Sequence, residues 1–391
     1  MKMDATQRFN FLPVPTDVHF GFGAVDSLAD HVRALDAERV FVVTDPGVRA
    51  AGIFDRVAAV FERAAIGFAV YDHVTADSGS TLICRGVDAL KNSGAGVVVG
   101  VGGGSALDTA KAIAGLATNP GSLIEYIGLH KVTARPLPLI AVPTTAGTGS
   151  EVSLWSVFTD DARQLKVAIG SVLLYPPVAV CDPELTVNLP APLTASTGMD
   201  ALAHAIECYT NKACQPISAA LALGAIELIG RHLRRAVANG SDREARYGML
   251  LASTMAGMAM NPTRLGLAHA LAMPLGSWDL KIPHSVAIAV TLPIVMRFNV
   301  PAAPSRFAAV ARALGQELDG CSELEAAERS AAAVASLAEA IGIPKGLSGY
   351  GLSAAHVPVV VDEAMKSGNV AVNPRTTTKE ELNEILMRAL S

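Results

Sequence analysis

Residues 96–101 read Gly-Val-Val-Val-Gly-Val and run straight into Gly102-Gly103-Gly104-Ser105 and a helical pattern over 106–117. A β-branched run with no polar face must be covered on both sides, which a parallel sheet flanked by helices achieves. Similar runs occupy residues 39–44, 68–71 and 139–142, with helical periodicity over 52–64 and 81–93 between them. Short strands alternating with helices of about a dozen residues predict a Rossmann-like α/β domain built on one parallel sheet. Beyond Asp182-Pro183 the texture changes. Residues 195–209, 216–235, 243–260 and 322–340 are rich in Ala and Leu at helical spacing, and no strand pattern stands out. An all-α domain is expected there. A chain of 391 residues also exceeds the roughly 250–300 at which single cores stop growing. The boundary falls near residue 187, giving domains over 1–186 and 187–391. With no low-complexity linker, the two are expected to share a fixed interface and a cleft.

Composition narrows the function classes. Hydrophobic residues make up 51% and charged residues 17%, the reverse of a disordered chain. Lys and Arg total 31 against 36 Asp and Glu, a formal charge of −5. No basic excess is available to neutralise a phosphate backbone, so nucleic acid is not an expected partner. Mean hydropathy is +0.37, yet the most apolar segments are short and stopped by Gly or Pro. They fall short of the roughly 18 residues a membrane span needs, so no membrane partner is expected. Lys2, Asp4 and Arg8 precede any apolar run, unlike a secretory signal. Five dispersed cysteines without a CxxC pair fit a reducing cytoplasm. The low charged fraction points to surface covered by other subunits, hence a homo-oligomer, a dimer or larger.

Glycines at a strand-to-helix turn let backbone N–H groups approach a phosphate, and the helix dipole adds to the attraction. Gly102-Gly103-Gly104-Ser105-Ala106-Leu107-Asp108 has that character, with Ser105 placed to cap the helix and donate to phosphate. Counted from Gly100, the sixth position is Ser105 rather than Gly or Ala, a departure from the usual dinucleotide fingerprint. A tight turn serving only the fold is the competing reading. Pro143-Thr144-Thr145-Ala146-Gly147-Thr148-Gly149-Ser150-Glu151 forms a second polar loop after the 139–142 run. It lies at a strand's C-terminal end, where open α/β sheets take ligands. Asp45 ends the 40–44 run, where a carboxylate accepts from the ribose hydroxyls of NAD and repels the 2′-phosphate of NADP. Capping a helix would explain it equally well.

Asp200 and His204 stand four apart in Thr197-Gly198-Met199-Asp200-Ala201-Leu202-Ala203-His204-Ala205-Ile206-Glu207 and so share one helical face. Their surroundings are apolar, where an unpaired carboxylate is costly. His269 lies in another apolar helix, and His284 follows Pro283 at the start of a third. A single buried histidine is more often a satisfied core residue than a ligand. One Asp and three His together change that, because a divalent cation satisfies all four. Nitrogen and oxygen donors without cysteine suit Fe²⁺ or Zn²⁺.

Four motifs, GGGSALDTAK, PTTAGTGSE, GMDALAHAIE and GLAHALAMPLGSWDLKIPHSVA, in this order and across most of the chain, resemble the iron-containing (group III) alcohol dehydrogenase family. The resemblance implies a dehydroquinate synthase-like two-domain architecture, with a dinucleotide-binding α/β domain, a helical metal domain and a cleft for cofactor and substrate. It implies ligation of a divalent metal, Fe²⁺ ahead of Zn²⁺, by Asp200, His204, His269 and His284, and catalysis through that metal. By motif, Asp45, Gly103, Gly104, Ser105, Asp108, Thr144, Thr145 and Thr148 would touch NAD. Lys166 matches a family lysine near the nicotinamide ribose, where the plain alternative is a surface lysine. Trp155, Met260 and Met273 would line an apolar substrate pocket, or else belong to the core.

Three departures from the family pattern stand out. Met273 replaces a histidine four residues after the third ligand, which bears on the proton route. Ala76-Asp77-Ser78 replaces Pro-Asn-Pro, and Met260 stands where Phe is frequent; the loop after Met273 is also one residue longer. The implied activity is hydride transfer between NAD(H) and a small-molecule alcohol or aldehyde. A glycerol-dehydrogenase-like or dehydroquinate-synthase-like enzyme of the same superfamily is the nearest alternative. A catalytically silent NAD- or metal-binding protein is the alternative from a different class.

Overall fold

Val40 and Val42 point into one apolar core with Val25, Leu28 and Phe61, while Phe41 and Val43 point into another with Ile83, Leu90 and Ile113. Successive side chains of a strand leave opposite faces, so a strand buried at every step needs a layer on each side. The computed structural model, which describes residue 9 and residues 13–391, supplies both layers. Its first compact unit spans Val14–Leu189. The strands there are β1 (Asp17–Phe20), β2 (Arg39–Val43), β3 (Gly67–Tyr71), β4 (Val97–Gly102), β5 (Gly128–Leu129), β6 (Leu139–Pro143), β7 (Trp155–Asp160), β8 (Leu165–Gly170) and β9 (Val178–Cys181). The helices are α1 (Leu28–Ala34), α2 (Pro46–Ala50), α3 (Ile53–Arg63), α4 (Ser80–Ser93) and α5 (Gly104–Thr118).

Six strands pair in the order β1-β9-β6-β4-β2-β3, all parallel. The α/β expectation holds, and the structure extends it. β9 and β1 add one edge of the sheet, and an antiparallel β7–β8 hairpin with β5 makes a second, three-stranded sheet. From β2 the chain passes to β3 on one side and then crosses back to β4 on the other. The order therefore reverses between β2 and β4, and open α/β sheets take ligands beyond the carboxyl ends of the strands at such a point.

The second unit includes Pro190–Ser391. Its helices are α6 (Ala191–Thr210), α7 (Pro216–Ala238), α8 (Arg243–Thr263), α9 (Leu267–Leu275), α10 (His284–Asn299), α11 (Pro304–Ala313), α12 (Glu323–Ala340), α13 (Val357–Ala364), α14 (Gly368–Val372) and α15 (Lys379–Arg388). No strand is assigned in this unit among the described residues. Small residues let its helices approach closely: a Cβ on Gly198 of α6 would come within 2.3 Å of Leu233 Cδ1 on α7. One segment, His284–Ala302, is long and apolar enough to cross a membrane by composition. It packs against α6, α9, α12 and α15, as a core helix does.

Candidate active site

Both polar loops of the α/β unit meet at the reversal point. Gly102 has φ 153°, a backbone conformation glycine adopts at no steric cost. A Cβ there would lie 2.6 Å from Ala106 Cβ and 3.1 Å from Asp45 Oδ2. A Cβ on Gly103 would come within 3.2 Å of Thr145 Cγ2, and one on Gly104 within 2.6 Å of Thr148 Cγ2. The buried Thr144 donates its N–H to the Gly102 carbonyl at 3.0 Å. Asp45, Gly103, Gly104, Thr144, Thr145 and Thr148 are thus gathered at one strand edge. Asp45 satisfies both readings of its sequence context. Its Oδ1 accepts from Val48 N at 2.9 Å as the N-cap of α2, and its Oδ2 faces the glycine turn. Ser105 departs from expectation: the N-cap of α5 is Gly103, without a side-chain cap bond. The Ser105 hydroxyl instead accepts from Asp77 N at 3.3 Å.

That bond ties the turn to the segment in which Asp77 departs from the family pattern. Asp77 has φ 56°, its carbonyl accepts from Thr159 Oγ1 at 3.1 Å, and its Oδ1 lies 2.6 Å from Lys166 Nζ. The Lys166 side chain is only 3% exposed, which rules out an ordinary surface lysine. Asp108 faces inward. It accepts from Ser150 Oγ at 2.5 Å and from Val157 N at 3.0 Å, and lies 3.6 Å from Lys111 Nζ. Lys111, wholly buried, donates to Ser150 Oγ, Ser153 Oγ and the Trp155 carbonyl at 2.7, 3.0 and 2.7 Å. Burial pushes the Asp108 carboxyl up and the Lys111 ammonium down from their usual ranges, and each partly counters the other's shift. The pair supports the second loop from beneath.

In the helical unit, Asp200 on α6, His269 on α9 and His284 at the start of α10 bring one ligand atom each to within 4.8 Å of one another. His204 stands beside them, its ring stacked on that of His269 at 4.5 Å between centroids, and is not one of the converging three. Asp200 Oδ1 and His269 Nε2 are buried without hydrogen-bond partners, although only 3.4 Å apart. The reason lies on the far side of the ring. Nδ1 of His269 is 2.6 Å from Glu207 Oε2, and a carboxylate accepts, so the ring proton belongs on Nδ1 and Nε2 turns a lone pair toward Asp200. Two acceptors then face each other, and positive charge has to come between them. Burial raises the Asp200 carboxyl, but His204, His269 and His284 outweigh it and hold the group well below the usual carboxylate range. Burial lowers His269, but Glu207 and Asp200 outweigh it and push the ring up to about 9. A proton on His269 or a bound cation meets the same demand. One carboxylate and imidazole nitrogens, without thiolate, fit Fe²⁺ or Zn²⁺.

Among the expected pocket residues, Met260 is buried on α8, and Met273 is half-buried on α9, one helical turn past His269. Trp155 begins β7 in the α/β unit, and a Cβ on Gly170 would come within 2.4 Å of its ring. Glu207 has no role in the sequence reading, although it lies three residues past His204 and seven past Asp200, on the same helical face. That spacing was its available signal.

Comparison with known proteins accords with this geometry. A family model described as iron-containing alcohol dehydrogenase matches residues 15–183, and one described as the Fe-containing alcohol dehydrogenase family, C-terminal, matches residues 194–390. A 1,3-propanediol dehydrogenase of Citrobacter freundii is 40% identical over 386 residues, covering 98% of this chain and 99% of the relative. An NAD-dependent methanol dehydrogenase of Bacillus methanolicus is 37% identical over 97% of this chain and 100% of its own. The crystal structure of a 1,3-propanediol oxidoreductase superposes with a TM-score of 0.95 at 38% identity, covering 98% of this chain and 100% of that one. Both halves of the sequence, the parallel sheet and the helical unit thus agree, and the chain belongs to the iron-containing alcohol dehydrogenase family.

Proposed function

We propose that this NAD-dependent alcohol dehydrogenase binds NAD at the Gly102 turn and a divalent cation, iron ahead of zinc, at Asp200, His204, His269 and His284. The convergence of ligand atoms from Asp200, His269 and His284 within 4.8 Å of one another, with Asp200 Oδ1 and His269 Nε2 buried and unbonded, carries the proposal. When bound, NAD supplies the hydride acceptor, and the cation supplies Lewis acidity that favours loss of the alcohol's proton. The chain's own residues do the rest. The backbone of Gly103 and Gly104 and the start of α5 hold the pyrophosphate, aided by Ser105, Thr144, Thr145 and Thr148. Asp45 Oδ2 accepts from the ribose hydroxyls, and Lys166, neutralised by Asp77, serves the nicotinamide ribose. Asp108 acts through the loop it supports. Asp200 provides the negative charge that holds the cation. Met260 and Met273 in the same unit give apolar side chains suited to excluding water from a small-molecule alcohol or aldehyde, a role that Trp155 would share from the α/β unit only if it reaches the substrate.

The five cysteines are all free thiols, which supports a reducing cytoplasm. The low charged fraction supports a homo-oligomer. The central test is His269→Ala. Bound metal should fall and turnover should drop to background, while NADH binding, which uses the other unit, stays within about twofold. Metal content equal to the wild type in that variant, with circular dichroism unchanged, would overturn the ligand assignment. Metal retention in the wild type without NAD reduction by any alcohol or NADH oxidation by any aldehyde would indicate a silent binding protein.

A further inference from the structure

The geometry points to Glu207 as the positioning residue of this site. It would fix the tautomer of His269 and raise the basicity of Nε2, and so set the cation affinity of the cluster. The inference rests on the metal reading given above and adds a residue to which that reading gives no task. Glu207 is buried on α6, on the helical face that carries Asp200 and His204 and about one turn past His204. Its carboxylate crosses to the start of α9. Oε2 accepts from Gly266 N at 2.8 Å and sits 2.6 Å from His269 Nδ1, and Oε1 accepts from Ala268 N at 2.7 Å. Three donors converge on one carboxylate, which leaves it the acceptor throughout. A histidine whose outer nitrogen donates to a carboxylate is held in one tautomer and one ring orientation, and its other nitrogen becomes the better ligand.

The seat is built for a carboxylate. Gly266 leaves the room it needs: a Cβ there would lie 2.8 Å from Glu207 Oε1 and 2.9 Å from its Cδ. The same crossing is braced from the end of α6 by its C-cap Asn211, whose amide donates to the carbonyls of Thr263 and Arg264 at 3.1 Å each. One face of α6 therefore carries the Asp200 ligand, and its next turn aims the His269 ligand on another helix. Removing the charge while keeping the shape should loosen the aim of His269 without touching any group that meets the cation.

The test is Glu207→Gln in the full-length protein, read by Co²⁺ titration after chelation and dialysis, with competition by Zn²⁺. Outer carboxylates of this kind are worth about 10–100-fold in metal affinity. The variant should bind Co²⁺ at least tenfold more weakly, with its d–d absorption bands shifted, while circular dichroism and NADH affinity match the wild type. A purely structural role would not move the Co²⁺ bands. Affinity reduced less than tenfold with unshifted bands overturns the inference. If Glu207→Gln does not fold, Gly266→Ala decides by the same two outcomes, since its methyl group displaces the carboxylate but keeps its charge. Wild-type protein that binds no Co²⁺ would instead sink the metal reading itself, so the two failures are told apart.

Discussion

Two buried polar clusters, one in each unit, are built from similar materials and end in opposite conditions. Around Lys111, every charged atom finds a partner within the chain. Its ammonium has two hydroxyls and a carbonyl, and Asp108 has a hydroxyl, a backbone N–H and the ammonium nearby. Around Asp200 the polar atoms also converge, but Asp200 Oδ1 and His269 Nε2 face each other unbonded. Leaving such atoms unsatisfied costs about 1–3 kcal/mol each, and more for a charged group. The satisfied cluster shapes a loop, and the unsatisfied one is where we propose that a cation binds.

The comparison breaks or stands on paired substitutions, which carry the largest expected effects. Lys111→Met removes the buried cation beside the largely buried Asp108 carboxylate, and stranding one partner of a buried pair costs up to about 3–5 kcal/mol. The melting temperature should fall steeply, and NADH binding with it, because the Ser150 loop loses its support. Asp200→Ala separates two effects. In chelated protein it removes the carboxylate that holds the His269 proton, so some stability is lost, and the further stabilisation given by added Zn²⁺ disappears. For the wild type that stabilisation is about 2.7 kcal/mol at a hundredfold excess over Kd. Thermal melts with and without Zn²⁺ read both arms. If Asp200→Ala keeps the wild-type response to Zn²⁺, the cluster is structural after all.

These clusters also mark how far the sequence could be read. The β4 run and its glycines announce the strand, the turn and α5, because a wholly apolar β-branched run followed by glycines allows few alternatives. β1 and β9 were not legible: β1, Asp17–Phe20, carries only two apolar residues, and β9, Val178–Cys181, follows the Pro176-Pro177 pair, which reads as a turn. Asp200, His269 and His284 could be singled out because polar residues in Ala- and Leu-rich helices are conspicuous. Their convergence depends on how α6, α9 and α10 pack, and the stacking of His204 on His269 follows no sequence rule. Glu207 and Lys111 went unread for a plainer reason. A Glu or Lys on a helix is usually solvated, and burial is a tertiary fact.

Asp45 lies between the two conditions, with one oxygen capping α2 and the other turned to the glycine turn. Asp45→Gly isolates the second oxygen, because glycine at an N-cap costs only a few tenths of a kcal/mol. Losing a charge-assisted bond to the ribose is worth about 2 kcal/mol, so kcat/KM with NAD should drop about 30-fold while that with NADP rises. A wild-type enzyme that already prefers NADP would show that this oxygen does not serve the ribose.

The smallest effect concerns the apolar side of the unsatisfied cluster. Met273 is half-buried one turn past His269, where the family pattern has a histidine, and it brings a flexible thioether in place of a hydrogen-bonding group. If the cluster receives a ligand, the side chain next to it should set which alcohol is preferred. Each methylene that such a wall covers is worth up to about 0.8 kcal/mol, or roughly fourfold in kcat/KM. From ethanol to hexanol, kcat/KM should therefore rise, with glycerol and hydroxy acids poor. If Met273 meets substrate and not the cation, Met273→Ala should flatten the rise without changing Co²⁺ affinity. A flat wild-type series would place Met273 in the core. So would a slope unchanged by the substitution, and either result would confine the ligand-receiving character of this region to its polar atoms.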